Sequence, residues 1–396
     1  MRHLRVPKRQ TQAILECINN FEWAPEWSRV LNDGEFRLLY LGDNAPAQLP
    51  DILGSFEEVE ADQPPRLPQR WIEHLPDYLD ESIITLHQGI WPNAQEPLGE
   101  ILVFKIERGI EQYSQAVALA KISHHKTVRA VFRDHGVTGE FRIRDLEPLA
   151  ARLNEQIIDK AGIESLDGEI KEVLLATNTI VREFGVSIQI DPQLAFFSHR
   201  LQGERVRNVE GALKLKEMLG RPLNIADPYC GVGPAFAHLL QVDGLVGNLL
   251  ASDLNADAMP LLADNLSHNG IKVEVGKIDG LTALDDGNFV GIQDALELKN
   301  DERLIGQFDM LLINLPHDTM KHLPHLLGLL KRNSPTLVRG WLVTPEDDIP
   351  MLQNELQNIL APTLEGQQKV EIVQRRQYSS SDWLCRFEAW LNILTE

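Results

Sequence analysis

The chain has 396 residues, more than one compact core usually holds, so its length predicts two or three domains. Its composition, 43% hydrophobic and 24% charged, is typical of a globular enzyme, and no apolar run reaches the roughly 18 residues of a membrane span. The formal net charge of −20 argues against a polyanionic partner unless basic residues are concentrated locally.

Basic residues are in fact concentrated in three stretches. Residues 121–144 hold six Lys or Arg against two acids, residues 199–221 hold six against three, and the first ten residues hold four against none. These stretches are compatible with patches that face RNA, and also with random variation on an acidic surface.

Cysteine and histidine usage indicates the compartment and the metal content. The three cysteines are far apart and form neither a disulfide framework nor a metal-ligand pattern, and the twelve histidines form no spaced ligand set. The basic N-terminus lacks the apolar stretch of a secretory signal. We therefore expect a cytoplasmic protein with no membrane association and no metal site.

The first 62 residues are predicted to form a small α/β domain. VPKRQTQAILECINNF has the apolar spacing of an amphipathic helix, and Asp33-Gly34 is a strong hairpin signal. The stretch 61–65 ends in two prolines and is predicted to be a linker, because consecutive prolines interrupt both helix and sheet.

Residues 66–195 are predicted to form a second domain, of the α+β type. GEILVFKI, TVRAVFRD and GEFRIRDLEPL have the composition of strands, and residues 109–121 that of a helix. A turn is predicted at Asp134-His135-Gly136, a helical stretch over 151–180, and further strands at VSIQID and AFFS.

Residues 196–396 are predicted to form a third domain, in which helices and strands alternate. The alternation predicts a mainly parallel sheet covered by helices on both faces, and VEIVQRRQ and WLCRFEAWLNI predict a terminal antiparallel hairpin. This fold class is α/β, a Rossmann-like class I methyltransferase domain preceded by two smaller α/β or α+β domains. The predicted helices and strands of the alternation lie at 205–219, 223–227, 231–240, 247–253, 256–268 and 272–275.

The first two signals for a cofactor follow neighbouring strands. LNIADPYCGVGP ends a strand at Asp227, and Gly231 and Gly233 then let the backbone approach a ligand closely. LLASDLNADAM ends a strand at Asp253, whose carboxylate can accept hydrogen bonds from both ribose hydroxyls of an adenosine, and Asn255 follows. Taken singly, a Gly-x-Gly is often only a turn and a strand-terminal Asp only a helix cap.

Two further signals follow in the same order. In FVGIQDALEL, Asp294 could accept from the adenine amino group, and we prefer it to Asp279, which lies in an apparent insertion. FDMLLINLPH runs from a buried strand into Asn314 and Pro316, where an amide can donate and accept at a base edge and the proline leaves carbonyls without helical partners. Together the four signals predict an S-adenosylmethionine site.

These motifs resemble a known family, the archaeal and eukaryotic-type tRNA (guanine-37-N1)-methyltransferases, over nearly the whole chain. LRVPK and the hairpin after it resemble the small domain that docks on the tRNA outer corner, and KTVRAVF and TGEFRIRDLEPLA resemble the middle domain. FFSHRLQGERVR resembles the family's F-S-P-R-L-x-x-E-R segment, and DPYCGVGP, SDLNADAM and NLP resemble its catalytic domain. The F-S-x-R-L-x-x-E-R segment and NLP are the more specific signals.

The resemblance implies roles for individual residues. Glu204 would accept the proton of guanine N1, a group that needs a base before it can be methylated. Arg144, with Arg142 as the next choice, would stabilise the charge that develops on O6. Asn314 and Pro316 would hold the base edge.

The same resemblance implies the remaining contacts. Arg200 would orient the segment at the cofactor, and Phe196 or Phe197 would stack on the extruded nucleotide, although both phenylalanines could equally be core residues. The implied partner is tRNA, contacted at its anticodon loop and elbow, and a monomer would suffice to span it.

Several features depart from the family pattern and leave alternatives open, and three of them follow. His199 replaces a proline, Ala256 replaces the proline of Asn-Pro, and the segment 145–180 is longer than usual. The alternatives are transfer of an aminocarboxypropyl or methyl group to a wyosine-type guanosine derivative in tRNA, and a non-catalytic RNA-binding protein with a relic methyltransferase fold. A small-molecule methyltransferase would leave the two N-terminal domains without a task.

Overall fold

The computed structural model of the chain describes residues 1–24, 28–64, 68–274, 280–367 and 369–392. These residues form two compact units, Met1–His74 and Leu75–Glu396. Of the predicted linker, residues 61–64 carry no helix or strand, and Pro65 lies outside the described residues. No helix within the described ranges has the length and apolar character needed to cross a bilayer.

The first unit is a four-stranded antiparallel sheet, in the order β2-β3-β1-β4, with a helix packed on it. The hairpin predicted at Asp33-Gly34 is confirmed, with Gly34 at φ +59°. The helix predicted from Val6 begins only at Thr11, because Val6 belongs to the central strand and is buried between its neighbours. The elements are β1 (Arg2–Pro7), α1 (Thr11–Asn20), β2 (Leu31–Asp33), β3 (Phe36–Tyr40), α2 (Asp51–Gly54) and β4 (Glu57–Glu60).

The second unit begins with a five-stranded sheet in the order β5-β6-β7-β8-β9 and a separate hairpin of β10 and β11. Only β6 and β7 are parallel, and α4 crosses between them as a parallel connection requires. The elements are α3 (Glu81–Leu86), β5 (Gln95–Leu98), β6 (Ile101–Phe104), α4 (Ser114–His124), β7 (Ala130–Thr138), β8 (Ile143–Leu153), β9 (Gln156–Asp159), α5 (Lys160–Glu164), α6 (Gly168–Leu175), β10 (Thr179–Glu183) and β11 (Val186–Ile190).

Three predictions for this region are wrong. The stretch 134–136 is an irregularity inside β7, and the chain reverses instead at 139–142. The helical stretch predicted over 151–180 is interrupted, because β8 continues to Leu153 and pairs with β9 before α5 and α6 begin. AFFS is not a strand, since residues 195–198 form a connection rather than pairing with a neighbour.

The third part of the chain forms an eight-stranded sheet in the order β14-β15-β13-β12-β16-β17-β19-β18. Its five central strands are parallel, β14 is antiparallel at one edge, and β19 and β18 form the predicted antiparallel hairpin at the other. The elements are α7 (Gln202–Leu219), β12 (Leu223–Asp227), α8 (Pro234–Leu239), β13 (Val246–Asp253), α9 (Met259–His268), β14 (Leu281–Ala283), β15 (Phe289–Ile292), β16 (Met310–Ile313), α10 (Thr319–Leu326), β17 (Pro335–Pro345), α11 (Ile349–Ile359), β18 (Glu371–Gln377) and β19 (Asp382–Asn392).

The predicted Rossmann-like architecture is therefore confirmed, with small differences. The strand expected at 272–275 is not formed by residues 272–274, and Val275 lies outside the described residues. Alternate side chains of β12 point to opposite faces, so that Ile225 joins the core under α7, α8 and α9 while Ala226 joins the core under α10 and α11.

The strand order brings the predicted site to one edge of the sheet. β12 lies between β13 and β16. The strand order therefore extends from β12 first to one side of the sheet, through β13, and then to the other side, through β16. Ligands bind at such a switch point, beyond the carboxyl ends of the strands. Asp227, Asp253 and Asn314 stand at those ends.

Candidate active site

The glycine-containing loop after β12 is held against β13. Gly231 and Gly233 have φ of +53° and +77°, and a Cβ on Gly233 would lie 2.7 Å from Cδ1 of Leu262 in α9. Oδ2 of Asp253 accepts a hydrogen bond of 2.7 Å from the Gly231 amide. The loop therefore follows a path that only glycine adopts without strain at these two positions.

Two carboxyl groups lie where β12 and β13 end, of which Asp227 is buried and Asp253 half-buried. Burial raises the pKa of Asp227 to about 7, helped by the nearby charge of Asp253 and opposed by a hydrogen bond from the Tyr229 amide. Burial also raises the pKa of Asp253, against hydrogen bonds from the amides of Asn255 and Gly231. Such shifted carboxyl groups in a cleft are typical of a functional site.

Glu204 lies in the first turn of α7 and is 8% exposed. Its Oε1 accepts short contacts from Arg207 at 2.5 Å and Arg375 at 2.6 Å. Its Oε2 has longer contacts, 3.5 Å to Nη1 of Arg386 and 3.9 Å to Nη2 of Arg339. Oε1 is thus held in place, whereas Oε2 is the carboxylate oxygen with capacity for a further partner.

A single cavity brings several of the predicted residues together. It contains Glu204, Asp227 and Asn314, which come from α7, the end of β12 and the end of β16. The residues that line it are Leu201, Glu204, Arg205, Asn208, Asp227, Tyr229, Cys230, Pro234, Ala235, Leu312, Ile313, Asn314, Arg339, Gly340, Trp341 and Arg386.

The loop that follows Asn314 differs from its prediction in one respect. Pro316 does not line the cavity, and its carbonyl accepts a 2.9 Å hydrogen bond from the Val343 amide. The donor lies on strand β17, so this carbonyl has a strand partner and not a helical one.

Two further residues predicted to bind the cofactor follow β13 and β15. Asn255 is buried and bonded at both ends of its amide, to the Leu194 carbonyl at 2.8 Å and the Asp257 amide at 3.0 Å. Asp294 follows β15, is exposed and accepts from the Leu296 amide at 2.9 Å. Asp279, its competitor for the adenine contact, lies outside the described residues.

The arginines expected from the middle region lie apart from the cavity lining. Nη2 of Arg144 is 2.7 Å from the Glu96 carboxylate, and its Nη1 is 3.8 Å from that of Asp134. The Arg142 guanidinium lies over two aromatic rings, 5.3 Å from the centroid of Phe196 and 5.8 Å from that of Tyr378.

The remaining residues of the F-S-x-R-L-x-x-E-R segment separate into exposed and buried positions. Phe196 is 41% exposed, and its carbonyl lies 3.9 Å from where a Cβ on Gly231 would be. Phe197 belongs to the core, with the Arg205 guanidinium 5.1 Å from its ring centroid. The Arg200 side chain is exposed.

Sequence reasoning missed an ion cluster around Glu183. Glu183 is fully buried on β10 and accepts from Nε of Arg205 at 2.7 Å and from His238 at 3.2 Å. Nδ1 of His199 is also 3.2 Å from this carboxylate, within ion-pair distance but without hydrogen-bond geometry. His199 is the residue that departs from the family pattern, and this departure was the available signal for the cluster.

The sequence analysis also missed the cations around Glu204 that come from β17, β18 and β19. Arg339 is 4% exposed in an otherwise uncharged strand, which was a signal that it has a specific partner. Within the described ranges, no group of three or more His, Cys, Asp or Glu residues is placed to hold a metal ion.

Comparison with known proteins gives matches to two groups, Trm5 and TYW2. A family described as the TYW2 N-terminal domain matches residues 75–151. The chain is 23% identical over 350 residues to the tRNA (guanine(37)-N(1))-methyltransferase Trm5b of Pyrococcus abyssi, covering 87% of this chain and 85% of that protein.

Solved structures agree with the fold. The crystal structure of P. abyssi Trm5b matches with a TM-score of 0.65 and 19% identity over 99% of both chains, and the complex of aTrm5 with tRNALeu matches with 0.65 and 18% over 99% of this chain and 100% of that one. P. horikoshii TYW2 in complex with MeSAdo matches with 0.54 and 16% over 82% and 98%. The predicted resemblance is thus confirmed, and the chain is a relative of the tRNA (guanine-37-N1)-methyltransferases that shares their fold.

Proposed function

We propose that the chain transfers a methyl group from S-adenosylmethionine to N1 of guanosine 37 in tRNA, with Glu204 as the general base. The observation that carries this proposal is that Glu204, Asp227 and Asn314 line one cavity although they come from three separate elements. The name of the P. abyssi relative states this activity. The structure of the P. horikoshii neighbour, which has a similar fold, is a complex with MeSAdo.

The residues beyond β12 and β13 fit the cofactor. Gly231 and Gly233 leave backbone without side chains beside the strand ends, and the Asp253 carboxylate retains lone pairs for ribose hydroxyls. Asp227 can pair with the cofactor's ammonium group, which would favour its ionised form. S-adenosylmethionine, when bound, supplies an electrophilic methyl group. We assign the adenine contact to Asp294.

The proposed chemistry begins with a proton. N1 of guanine is a poor nucleophile while it carries its proton, so Oε2 of Glu204 accepts that proton as N1 gains the methyl group. Oε2 is the suitable atom because Oε1 is already engaged by Arg207 and Arg375 at 2.5 and 2.6 Å. These short contacts also fix the rotamer of Glu204, so that no reorganisation is needed when the base arrives.

Asn314 completes the base site in this proposal. It follows β16 directly and lines the same cavity as Glu204. Its side-chain amide can donate and accept on the purine edge. Pro316 acts indirectly, since its carbonyl ties the loop to Val343 at 2.9 Å.

The proposed RNA surface lies on the second unit. We include Arg142, Arg200 and Arg376 in this surface. Burial lowers the pKa of Arg376, and the charges of Arg200 and Arg142 lower it further, against the opposing charges of Glu96 and Tyr378. Concentrated positive charge of this kind attracts phosphates even on a chain with a net charge of −20. We propose that residues 66–195 and this patch bind the anticodon loop, while residues 196–396 catalyse the transfer.

We assign tRNA elbow docking to residues 1–62 from the resemblance alone. Arg2, Arg5 and Lys8 each pair with an acid of the same unit, at 2.8, 2.6 and 3.4 Å. Most of the positive charge at the N-terminus is therefore balanced locally. The three cysteines are free thiols, in keeping with the proposed cytoplasmic location.

A second candidate function is transfer of an aminocarboxypropyl or methyl group to a wyosine-type guanosine derivative. It is favoured by the match of residues 75–151 to the TYW2 N-terminal domain and by the likeness to P. horikoshii TYW2. Against it, this chain keeps Asn314 and Glu204 in one cavity, and Glu204 is the kind of base that N1 methylation requires.

A methyl-transfer assay tests the proposal. Unmodified tRNA transcripts with guanosine or adenosine at position 37 are incubated with the protein and S-adenosylmethionine, and nucleosides are identified by mass. We expect 1-methylguanosine from the guanosine transcript alone. Glu204→Gln should lower kcat by about 10²-fold or more while leaving the affinity for S-adenosylhomocysteine nearly unchanged.

The matched control is Glu210→Gln, an exposed glutamate on the same helix, which should keep full activity. Full activity of Glu204→Gln would remove Glu204 from the mechanism. Product only from transcripts that carry a tricyclic guanosine would favour the second candidate.

A further inference from the structure

One buried carboxylate binds side chains from two helices that line the cavity. Glu183, on β10, is fully buried and does not itself line the cavity. Glu204 and Arg205 line it from α7. Pro234 and Ala235 line it from α8. The proposed mechanism uses none of the contacts that Glu183 makes with these helices.

The contacts to α7 restrict the turn of the helix that carries Glu204. Nε of Arg205 donates to Oε2 of Glu183 at 2.7 Å, and its Nη2 donates to Oε1 at 2.5 Å. The same Nη2 donates to the Ser198 carbonyl at 2.9 Å, just before the chain enters the helical region. A two-pronged pair of arginine and carboxylate fixes its partners in angle as well as in distance. Because Arg205 directly follows Glu204 in the chain, the pair also restricts the backbone at Glu204.

The contact to α8 comes from a second buried side chain. His238 is 4% exposed, and its Nε2 is 3.2 Å from Oε2 of Glu183. Although burial opposes ionisation, the hydrogen bonds from His238 and Arg205 lower the pKa of Glu183. An ionised carboxylate can only accept, so Nε2 of His238 is the donor. Since α8 begins directly after Gly233, this hydrogen bond ties the helix that follows the glycine-containing loop to Glu183.

Stability alone is a poor explanation for this arrangement. Burying charged groups costs desolvation, and well-packed apolar side chains of similar volume often stabilise a protein equally well or better. An apolar core already lies under the same two helices, and it includes Ala212, Leu215, Phe236 and Leu239. Apolar contacts are not directional, whereas the hydrogen bonds of Glu183 specify where each helix stands relative to the other.

Building on the proposed methyl transfer, we propose that Glu183, Arg205 and His238 are positioning residues that set the distance between the proton acceptor and the methyl donor. Arg205 acts on Glu204 through the turn of α7 that they share. His238 acts on the glycine-containing loop through α8. Methyl transfer requires the reacting atoms to approach within about 3–3.5 Å, and a misplacement of about 1 Å can cost about 10²-fold in rate. None of the three residues exchanges a proton during the reaction.

Single-turnover kinetics at saturating S-adenosylmethionine and tRNA test the proposal on His238. His238→Leu fills the buried position with an apolar side chain, whereas His238→Gln keeps an N–H donor in the place of Nε2. We expect His238→Leu to lower the rate constant of methyl transfer by about 10- to 10²-fold, and His238→Gln to stay within about 3-fold of the unmodified protein. The affinities of both variants for S-adenosylhomocysteine and tRNA, measured by calorimetry and filter binding, should change by less than about 2-fold.

The matched control is His268→Leu, at an exposed histidine that ends α9, and it should keep the full rate. Arg205→Lys keeps the buried charge but loses the two-pronged geometry, so it should slow transfer about 10-fold and remains informative if His238→Leu fails to fold. An unchanged rate in His238→Leu, an equal loss in His238→Gln, or a loss confined to S-adenosylhomocysteine affinity would overturn the proposal. Failure of the proposed function itself would be visible separately, as absence of 1-methylguanosine from the unmodified protein or full activity of Glu204→Gln.

Discussion

Replacing Asp227 by Asn should stabilise the cofactor-free protein at neutral and alkaline pH. The carboxyl group is 4% exposed, and burial raises its pKa to about 7 from an ordinary value of 3.8. The Asp227 carboxyl group ionises near pH 3.8 in the unfolded chain and near pH 7 in the folded chain. Rising pH therefore favours unfolding between these two values, and the effect is complete above about pH 7. The difference corresponds to on the order of 4 kcal/mol.

An asparagine removes this penalty without changing the shape of the site. Its side-chain oxygen can still accept from the Tyr229 amide, which lies 3.2 Å from Oδ1 of Asp227. Asp227→Asn should therefore gain stability relative to the unmodified protein as pH rises, with on the order of 3 kcal/mol of the gain appearing between pH 5 and pH 8. The same change should weaken cofactor binding, because the anionic partner is lost.

Urea unfolding of the cofactor-free protein at pH 5, 6.5 and 8 measures this effect. The control is Asp243→Asn, which removes the same charge from an exposed loop after α8 and should show little pH dependence of its own. Equal pH slopes for the two variants, or a loss of stability in Asp227→Asn at pH 8, would refute the reasoning about burial.

Four more substitutions have defined outcomes. Gly233→Ala, at φ +77°, should destabilise the protein by about 1–2 kcal/mol and weaken cofactor binding, as measured by urea unfolding and calorimetry. Glu183→Gln should cost about 3–5 kcal/mol, because Arg205 keeps its charge in a buried site without its anion. Phe196→Ala should weaken tRNA binding by about 1–3 kcal/mol in filter binding with stability unchanged, whereas Phe197→Ala should lose about 3–5 kcal/mol of stability.

Exposed residues of the same types supply the matched controls for Gly233 and Glu183. Gly203→Ala lies in α7 with open space around its Cβ and should be neutral or slightly stabilising, so equal losses at both glycines would contradict the strain argument. Glu172→Gln on α6 is exposed and should be neutral. Unchanged tRNA affinity in Phe196→Ala would exclude stacking at that ring.

The acid dependence of Glu183 has the opposite sign to that of Asp227. Burial opposes ionisation of Glu183, but hydrogen bonds from His238 and Arg205 outweigh it and lower its pKa. Its contribution to stability is therefore present above the ordinary carboxyl range and disappears as pH falls through the lowered value. The stability difference between Glu183→Gln and the unmodified protein should shrink in acid.

The local parts of the fold were predictable because their signals are local. β12 and β13 end at Asp227 and Asp253, Asn314 directly follows β16, and β12 was predicted with its observed bounds. Errors occurred where the strand pairing is decided at a distance. Residues 134–136 look like a turn, yet partner β8 keeps them in the sheet as an irregularity.

The sequence by itself determined the order of the strand-end residues Asp227, Asp253 and Asn314, because the parallel α/β pattern brings such ends to one edge. Only the tertiary structure decided which cations face Glu204. Arg339, Arg375 and Arg386 reach it from three strands near the end of the chain. Their positions depend on the register of β17, β18 and β19, and a shift of one residue would turn each side chain to the other face of the sheet.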